Sequence, residues 1–529
     1  MAVAQQSDPV GASSASISAG WLFGGEKGTS LVLLTAAIII PLLFMGLKKL
    51  LYPTFDPLEP PVLRPWIPFI GHVIDMIRER SSWYIRIYNE NTLPICTLPM
   101  LHGKMYVINS PDLITAAMKN GDISFDPFLL EVPVGLFGLS KKISNIIEQR
   151  HVIDGLLNVI HYTLMGDHLS RMNITALTNM MQTLNDVGPN PAEVSDAYEW
   201  SWDVLGNATM VAIFGEKNPL TPEHLHLIRD FDEGVARFAL GIAPRWIAPK
   251  PLRAREKINT LLESFYAAGQ ETRPDVSSII QKRTEILRRE GFDDHDLGVQ
   301  EITIPWVATT NTIAVLYWFF AHVFSVTEYT QRIRDEMEAI SIITTTKYGG
   351  CVGTISVKEM NKECTFLYAC YRETLRLYIH NTGQRRVLKD TTIKDQQGRE
   401  YLLKQGTNVQ WPGSLTHMTD STWGDDAWAF RPERFLKVSP QEEKQRRGAY
   451  IPFGGGKHLC PGRNFALSEN MGFVGILALG YHVDGVRVPD SEDPGLGLGS
   501  RKPIGEVGMR RAKITRRIGW EDITWEFVE

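Results

Sequence analysis

Near its C-terminal end the chain reads Pro452-Phe453-Gly454-Gly455-Gly456-Lys457-His458-Leu459-Cys460-Pro461-Gly462-Arg463, and no other segment restricts the fold as much. Three consecutive glycines let the backbone take positive φ and approach a large flat object, which residues carrying a Cβ do poorly. A single cysteine follows, then Pro-Gly, then Asn464-Phe465-Ala466-Leu467, which opens a helix. The plain alternative is a glycine-rich turn with a chance thiol, and the decision rests on what lies upstream. Cys96, Cys351, Cys364 and Cys370 form no C-x-x-C pair. That spacing suits neither a disulfide framework nor structural zinc, so these four read as buried, inert thiols.

The rest of the chain is ordinary globular material. Its 529 residues are 43% hydrophobic and 22% charged, which excludes disordered and collagen-like classes. A net charge of -5 gives no bulk attraction to nucleic acid. Residues 1–27 are rich in Ser, Ala and Gly and read as a disordered leader. Within 28–49, the uncharged run Ser30–Leu47 is just long enough to cross a bilayer core. It runs into Lys48-Lys49 instead of a small-residue cleavage site, so it reads as a single-pass anchor with the following chain in the cytosol. The sequons at Asn173 and Asn207 would then go unused. Residues 50–68 carry six prolines from Pro53 to Pro68 and read as a stiff hinge, leaving 69–529 as the catalytic body.

Within that body, much of 140–380 shows apolar residues at three- and four-residue spacing, the mark of helices. Strand-like pieces gather near 104–108, 386–394 and 401–411. The fold class is therefore mainly α with a minor β component. Ile302–Phe324 is apolar enough to pass for a second membrane span. Its Thr303, Thr309, Thr310, Asn311, Thr312 and His322, and the charged sequence around it, favour a long helix through a globular core. Buried polar groups need partners, so this cluster is a candidate cavity lining.

Two further segments give the cysteine loop its company. Glu373-Thr374-Leu375-Arg376 places a carboxylate and a guanidinium on one helix face. Phe430-Arg431-Pro432-Glu433-Arg434-Phe435 follows His417 and Trp423-Gly424-Asp425. Taken together, in this order, the three segments resemble the signatures of the cytochrome P450 superfamily, the haem-thiolate monooxygenases: E-x-x-R, a P-E-R-F-type segment, and F-x-x-G-x-R-x-C-x-G. Phe453, Gly456, Cys460 and Gly462 match the last of these, and the resemblance covers roughly 55–515.

The resemblance implies haem b with Cys460 as the axial iron ligand, a thiolate pushing electron density onto the metal. Backbone N–H groups of Gly462 and its neighbours would tune the sulfur. It also implies that Glu373, Arg376 and Arg434 form a buried structural triad. Arg385 matches a propionate arginine of the family, with adjacent Arg386 as an alternative. Three departures stand out. His458 occupies the position of the loop arginine. The W-x-x-x-R propionate contact is missing, with Arg150, Lys141 and Lys142 as candidate substitutes. Finally, where the family has A-G-x-(D/E)-T, this chain has Val307-Ala308-Thr309-Thr310-Asn311-Thr312. Thr310 replaces the acid and Asn311 the alcohol of the proton-delivering pair, and an amide donates a hydrogen bond but relays protons poorly. This A-x-x-N-T run, and Asp395–Tyr401 leading into a strand, are similar to the branch that holds cholesterol 7α-hydroxylase and prostacyclin synthase.

The resemblance thus implies a membrane-anchored monooxygenase of the endoplasmic reticulum that oxidises a lipophilic terpenoid or steroid-like molecule of secondary metabolism. It would use O2 and electrons from NADPH, delivered by NADPH–cytochrome P450 reductase with cytochrome b5 as an optional second donor. Lys437, Lys444, Arg446 and Arg447 are candidates for the docking face. The alternative is a reductase-independent isomerase or lyase acting on a peroxide or endoperoxide; a non-catalytic haem or sterol carrier is a third class. Asp126–Leu139, the central helix around Trp306 and Thr310, and Ile379–Gly383 are expected to face the substrate, with His380 read as a packed core histidine.

Overall fold

Apolar spacing of the helical kind needs a partner surface to bury against, and in the computed structural model that surface is a single long helix around which the others pack. Residues 35–43, 55–65, 70–100, 103–188, 190–239, 244–347, 349–494 and 499–529 are described. The 1–27 leader, the flanks of the anchor, and hinge residues 50–54 and 66–68 lie outside them. Two units are present, Met1–Thr54 and Phe55–Glu529. In the first, residues 35–43 are helical, with Ile38, Ile40, Leu42 and Leu43 exposed.

The second unit begins at Phe55, not at 69. Glu59 is buried and accepts from the Tyr106 hydroxyl, while Leu63 N donates to Thr97 O at 2.9 Å and Thr97 N to Pro61 O at 2.8 Å. Residues 59–63 thus run strand-like against Ile95–Met100 and Gly103–Ile108, and prolines are tolerated on such an edge, where their missing N–H is not needed.

Strands β1 (Ile95–Met100) and β2 (Gly103–Ile108) pair antiparallel and lead into α1 (Pro111–Lys119), with proline at the start of the helix, where it is best tolerated. Next come β3 (Ile123–Ser124), α2 (Asp126–Pro133) and a wide π turn over Val134–Gly138. The helical body holds α3 (Arg150–Thr163), α4 (Gly166–Asn185), α5 (Leu225–Asp232), α6 (Pro249–Ala267), α7 (Thr303–Phe324), α8 (Thr327–Ile340) and α9 (Thr365–Tyr378). The chain then returns through β4 (Thr382–Val387) and β5 (Asn408–Pro412) and closes with α10 (Arg463–Gly480). The sheet order is β1-β2-β5-β4-β3, with β5 parallel to β2 and antiparallel to β4.

Helix α7 is apolar on nearly every side and mostly buried. It is long enough to span a membrane, and it is the core helix that its flanking sequence predicts. The expected strand regions fall on β2, β4, β5 and the hairpin Thr391–Lys394/Glu400–Leu403. Three departures lie inside the mostly helical 140–380: the strands Ala192–Val194, Ile342–Thr345 and Cys351–Ser356. The last two pair with each other, and Ala192–Val194 and Cys351–Ser356 pair with Ala512–Arg516 and Ile523–Val528 at the far end of the chain. A partner that remote leaves no local periodicity to read.

Candidate active site

The cysteine segment closes on itself through backbone hydrogen bonds. Gly454 N donates to Ile451 O at 3.0 Å, and Cys460 N donates to Phe453 O at 3.0 Å. Two of the three glycines take the left-handed region, Gly454 at φ 71 and Gly456 at φ 64. Gly455 is extended at φ -179, so conformation does not demand glycine there; space does. A Cβ on Gly455 would stand 2.6 Å from Met118 Sδ, and one on Gly456 would stand 2.9 Å from Met118 O. The close approach predicted for this run is thus realised in part against α1. Cys460 is half-buried. On balance burial pushes its thiol pKa up, and the Gly462 and Arg463 backbone N–H groups and the Arg463 charge oppose that rise only in part, so without a metal ion the sulfur is held as a thiol. Of the other thiols, Cys96 and Cys364 are driven to about 12 by burial.

The predicted triad assembles. Arg376 and Glu373 are both fully buried and joined by two 2.7 Å hydrogen bonds. Arg434 Nε lies 3.3 Å from Glu373, and Arg431 N donates to the same carboxylate at 2.9 Å. Arg376 also donates to His417 O at 2.8 Å and Ala427 O at 2.6 Å. His417 carries the connection onward, its Nε2 accepting from Ile451 N at 3.1 Å. Burial holds that imidazole at a pKa of about 3, so its acceptor nitrogen stays unprotonated. A chain of contacts therefore runs from the triad to the residue that begins the cysteine turn.

On α7, Thr309 and Thr310 turn their hydroxyls back onto the helix, donating to Pro305 O at 2.7 Å and Trp306 O at 3.0 Å. They are satisfied locally and buried. The less buried positions of this stretch are Thr303, Trp306, Val307, Ala308, Asn311 and Thr312, which recur at three- and four-residue spacing and so share one side of the helix. Asn311 Oδ1 accepts from Ser500 Oγ at 2.8 Å; Thr312 is half-buried beside it. Trp306 donates to Asp232 Oδ1 at 2.9 Å and packs edge-on against Phe137 and Phe231, joining α7 to the π turn and α5. His380 is 1% exposed and bonded to Asp493 at 3.1 Å, a core residue as the sequence predicts.

Arg385 and Arg386 point to different fates. Arg386 pairs with Glu131 and bonds Asn408 Oδ1. Arg385 is buried, donates to Gln384 O and, at 3.4 Å, to Gly455 O, and among the described residues has no carboxylate in ion-pair range. Burial lowers its pKa to about 10. A buried guanidinium beside the cysteine turn without an acidic partner is a poor arrangement unless an anion meets it. His458 is half-buried, its pKa lowered first by burial and then by the Arg385 charge. The half-buried thiol, the small-residue turn and the unpartnered guanidinium fit haem, with Cys460 as ligand and Arg385 on a propionate.

The comparisons with known proteins agree. The cytochrome P450 family model matches residues 60–504. The chain is 32% identical over 516 residues to a cytochrome P450 monooxygenase of Gibberella zeae, covering 95% of this chain and 98% of the relative. The chain belongs to the cytochrome P450 family. It is also 24% identical over 507 residues to cytochrome P450 monooxygenase nodJ of Hypoxylon pulicicidum, covering 93% and 97%. With 25-hydroxycholesterol 7-alpha-hydroxylase of Rattus norvegicus the identity is 27% over 427 residues, covering 75% and 98%.

As a P450 monooxygenase, the chain carries several working residues that its sequence did not single out. Ser500, which holds Asn311, follows a glycine at φ 119 and carries no motif. His417 appeared only as a flank of the P-E-R-F segment. Among the proposed docking cations, Arg446 is half-buried over the Trp423 ring at 5.3 Å and bonded to Arg434 O, so it belongs to the proximal framework. Lys437, Lys444 and Arg447 remain exposed.

Proposed function

We propose that this P450 is a membrane-anchored monooxygenase of the endoplasmic reticulum, its body facing the cytosol, that inserts one oxygen atom into a lipophilic terpenoid or steroid-like substrate with electrons from NADPH through a partner reductase. One arrangement carries the reading: the Cys460 thiol in its glycine turn beside the carboxylate-free Arg385. Haem bound there supplies oxygen activation by a thiolate-ligated iron. The protein's share is to offset part of the burial penalty on the ionised sulfur through the Gly462 and Arg463 N–H groups, to fix the turn through His417 and the triad, and to offer the Asn311 amide as a hydrogen-bond donor on α7. The aromatic wall of Phe137, Phe231 and Trp306 suits an apolar substrate, and the relatives' names include fungal monooxygenases and a sterol hydroxylase. The exposed apolar helix at 35–43 supports the anchor.

A reductase-free isomerase or lyase has one observation in its favour: position 310 carries a self-satisfied threonine where proton delivery would call for an acid. Turnover of purified protein with a terpenoid and steroid panel, with and without NADPH and reductase, decides between them. Products only with the reductase are expected; equal turnover without it overturns the monooxygenase reading. Cys460→Ser is expected to abolish the long-wavelength Soret band of the reduced carbonyl complex, and a variant that keeps the band overturns the ligand assignment.

A further inference from the structure

The structure separates the three cations that could replace the missing W-x-x-x-R arginine. Lys142 is paired with Asp296 and stands 4.0 Å from Asp293. Lys141 is exposed on the first turn of its helix. Arg150, at the start of α3, lies 3.7 Å from Asp126 Oδ2. The same carboxylate is approached by Lys457 Nζ at 3.6 Å and His458 Nε2 at 3.5 Å, the two residues that open the way to Cys460. Asp126 therefore gathers groups from α3 and from the cysteine turn at one point.

That point adjoins Arg385. The Phe125 ring carries the Arg385 guanidinium at 5.3 Å on its face and the His458 ring edge-on at 5.6 Å. Counting fixed charges, Arg385, Arg150 and Lys457 stand against Asp126 and against Asp154, which binds Arg150 Nε at 2.8 Å. Cations are in surplus before His458 is considered. A porphyrin carries its two propionates side by side on one edge, so a cation and an imidazole N–H donor flanking one aromatic ring match that spacing in kind. We propose that Arg150, with Lys457 and His458, holds the second haem propionate, and that Asp126 is the positioning residue that gathers them. This rests on the reading of Cys460 as the haem ligand.

Arg150 thus does from the N-terminal end of α3 what the absent motif would do, and His458 contributes where the family's loop arginine is missing. The test is haem transfer from the full-length holoprotein to apomyoglobin, together with the ferric/ferrous midpoint potential by spectroelectrochemistry. Arg150→Gln is expected to speed transfer about tenfold, the loss of one charge-assisted hydrogen bond. It should also lower the potential, because a cation that favours the reduced haem is gone. Arg150→Lys should fall between this variant and the parent, and Lys141→Gln should match the parent. Asp126→Asn combined with Arg150→Gln should be faster than Arg150→Gln alone, because Lys457 and His458 lose their anchor, but by less than the product of the two single effects, since Asp126 and Arg150 act through one site. Parent-like transfer by Arg150→Gln, or a potential that does not fall, overturns the assignment. A parent protein that binds no haem instead overturns the reading of Cys460, and this proposal with it.

Discussion

Replacing Glu373 by Gln keeps the side-chain volume and removes one charge, which isolates what the buried carboxylate does. In the parent it neutralises Arg376 through two 2.7 Å bonds, faces Arg434 at 3.3 Å, and accepts from Arg431 N at 2.9 Å. The amide can accept from one donor set but presents its NH2 to the other, so one guanidinium loses its counter-charge where water cannot reach it. Breaking a buried pair in this way costs about 3–5 kcal/mol. For a body of about 475 residues, an unfolding entropy of roughly 2 cal/mol/K per residue makes about 1 kcal/mol per degree, so the melting temperature should fall by about 3–5 °C.

Heat is not where the effect should be largest. Arg376 also holds His417 O, and His417 holds Ile451 N at 3.1 Å, so loosening the pair loosens the turn that presents Cys460. Haem occupancy of Glu373→Gln, read from the ratio of Soret to protein absorbance, should therefore drop further than a 3–5 °C loss explains. The double variant Glu373→Leu/Arg376→Met gives the sharper test. If only the ion pair mattered, swapping both for apolar residues would be nearly neutral. Here it strands the carbonyls of His417 and Ala427 and the N–H of Arg431, so it should be at least as poor as the single change. A double variant that recovers parental haem content would refute the route through His417.

Other substitutions report on separate parts of the site. Glu469 is fully buried, accepts from Thr209 at 2.7 Å, and is raised by burial to about 8. The folded protein thus holds a proton that the unfolded chain releases near 4.5, and its stability is eroded as pH rises through that window. The melting temperature of Glu469→Gln relative to the parent should climb between pH 5 and about 8, and a flat difference would argue against a neutral carboxyl. Gly454→Ala meets only His458 O at 3.6 Å and should cost about 1–2 kcal/mol for its φ alone. Gly456→Ala adds a 2.9 Å clash with Met118 O and should yield markedly less haem-loaded protein; equal yields would contradict the packing. Ser500→Ala frees Asn311 and should broaden the carbonyl stretching band of the reduced carbonyl complex in the infrared, while Ser500→Thr keeps it narrow.

How much of this could be read from the chain depended on whether a side chain names its own partner. The cysteine turn, Glu373, Arg376 and Arg434 advertise themselves through residue type, and the structure brings them together. The acceptors that complete the triad are backbone carbonyls of His417 and Ala427, which no residue type encodes. The choice between Arg385 and Arg386 was within reach. Successive strand residues face opposite sides, Val387 is buried in β4, and Arg385 shares its parity, so the apolar neighbour two positions on already pointed the right guanidinium inward. Thr310 and Asn311 show the opposite difficulty. Polar type alone marks both as candidates for a cavity lining, but a threonine on a helix can satisfy itself against the fourth carbonyl back, and only the geometry shows that Asn311 is tied to a serine from the C-terminal segment. Asp126 is the extreme case: its partners Arg150, Lys457 and His458 come from two distant segments, and their convergence is a product of tertiary folding alone.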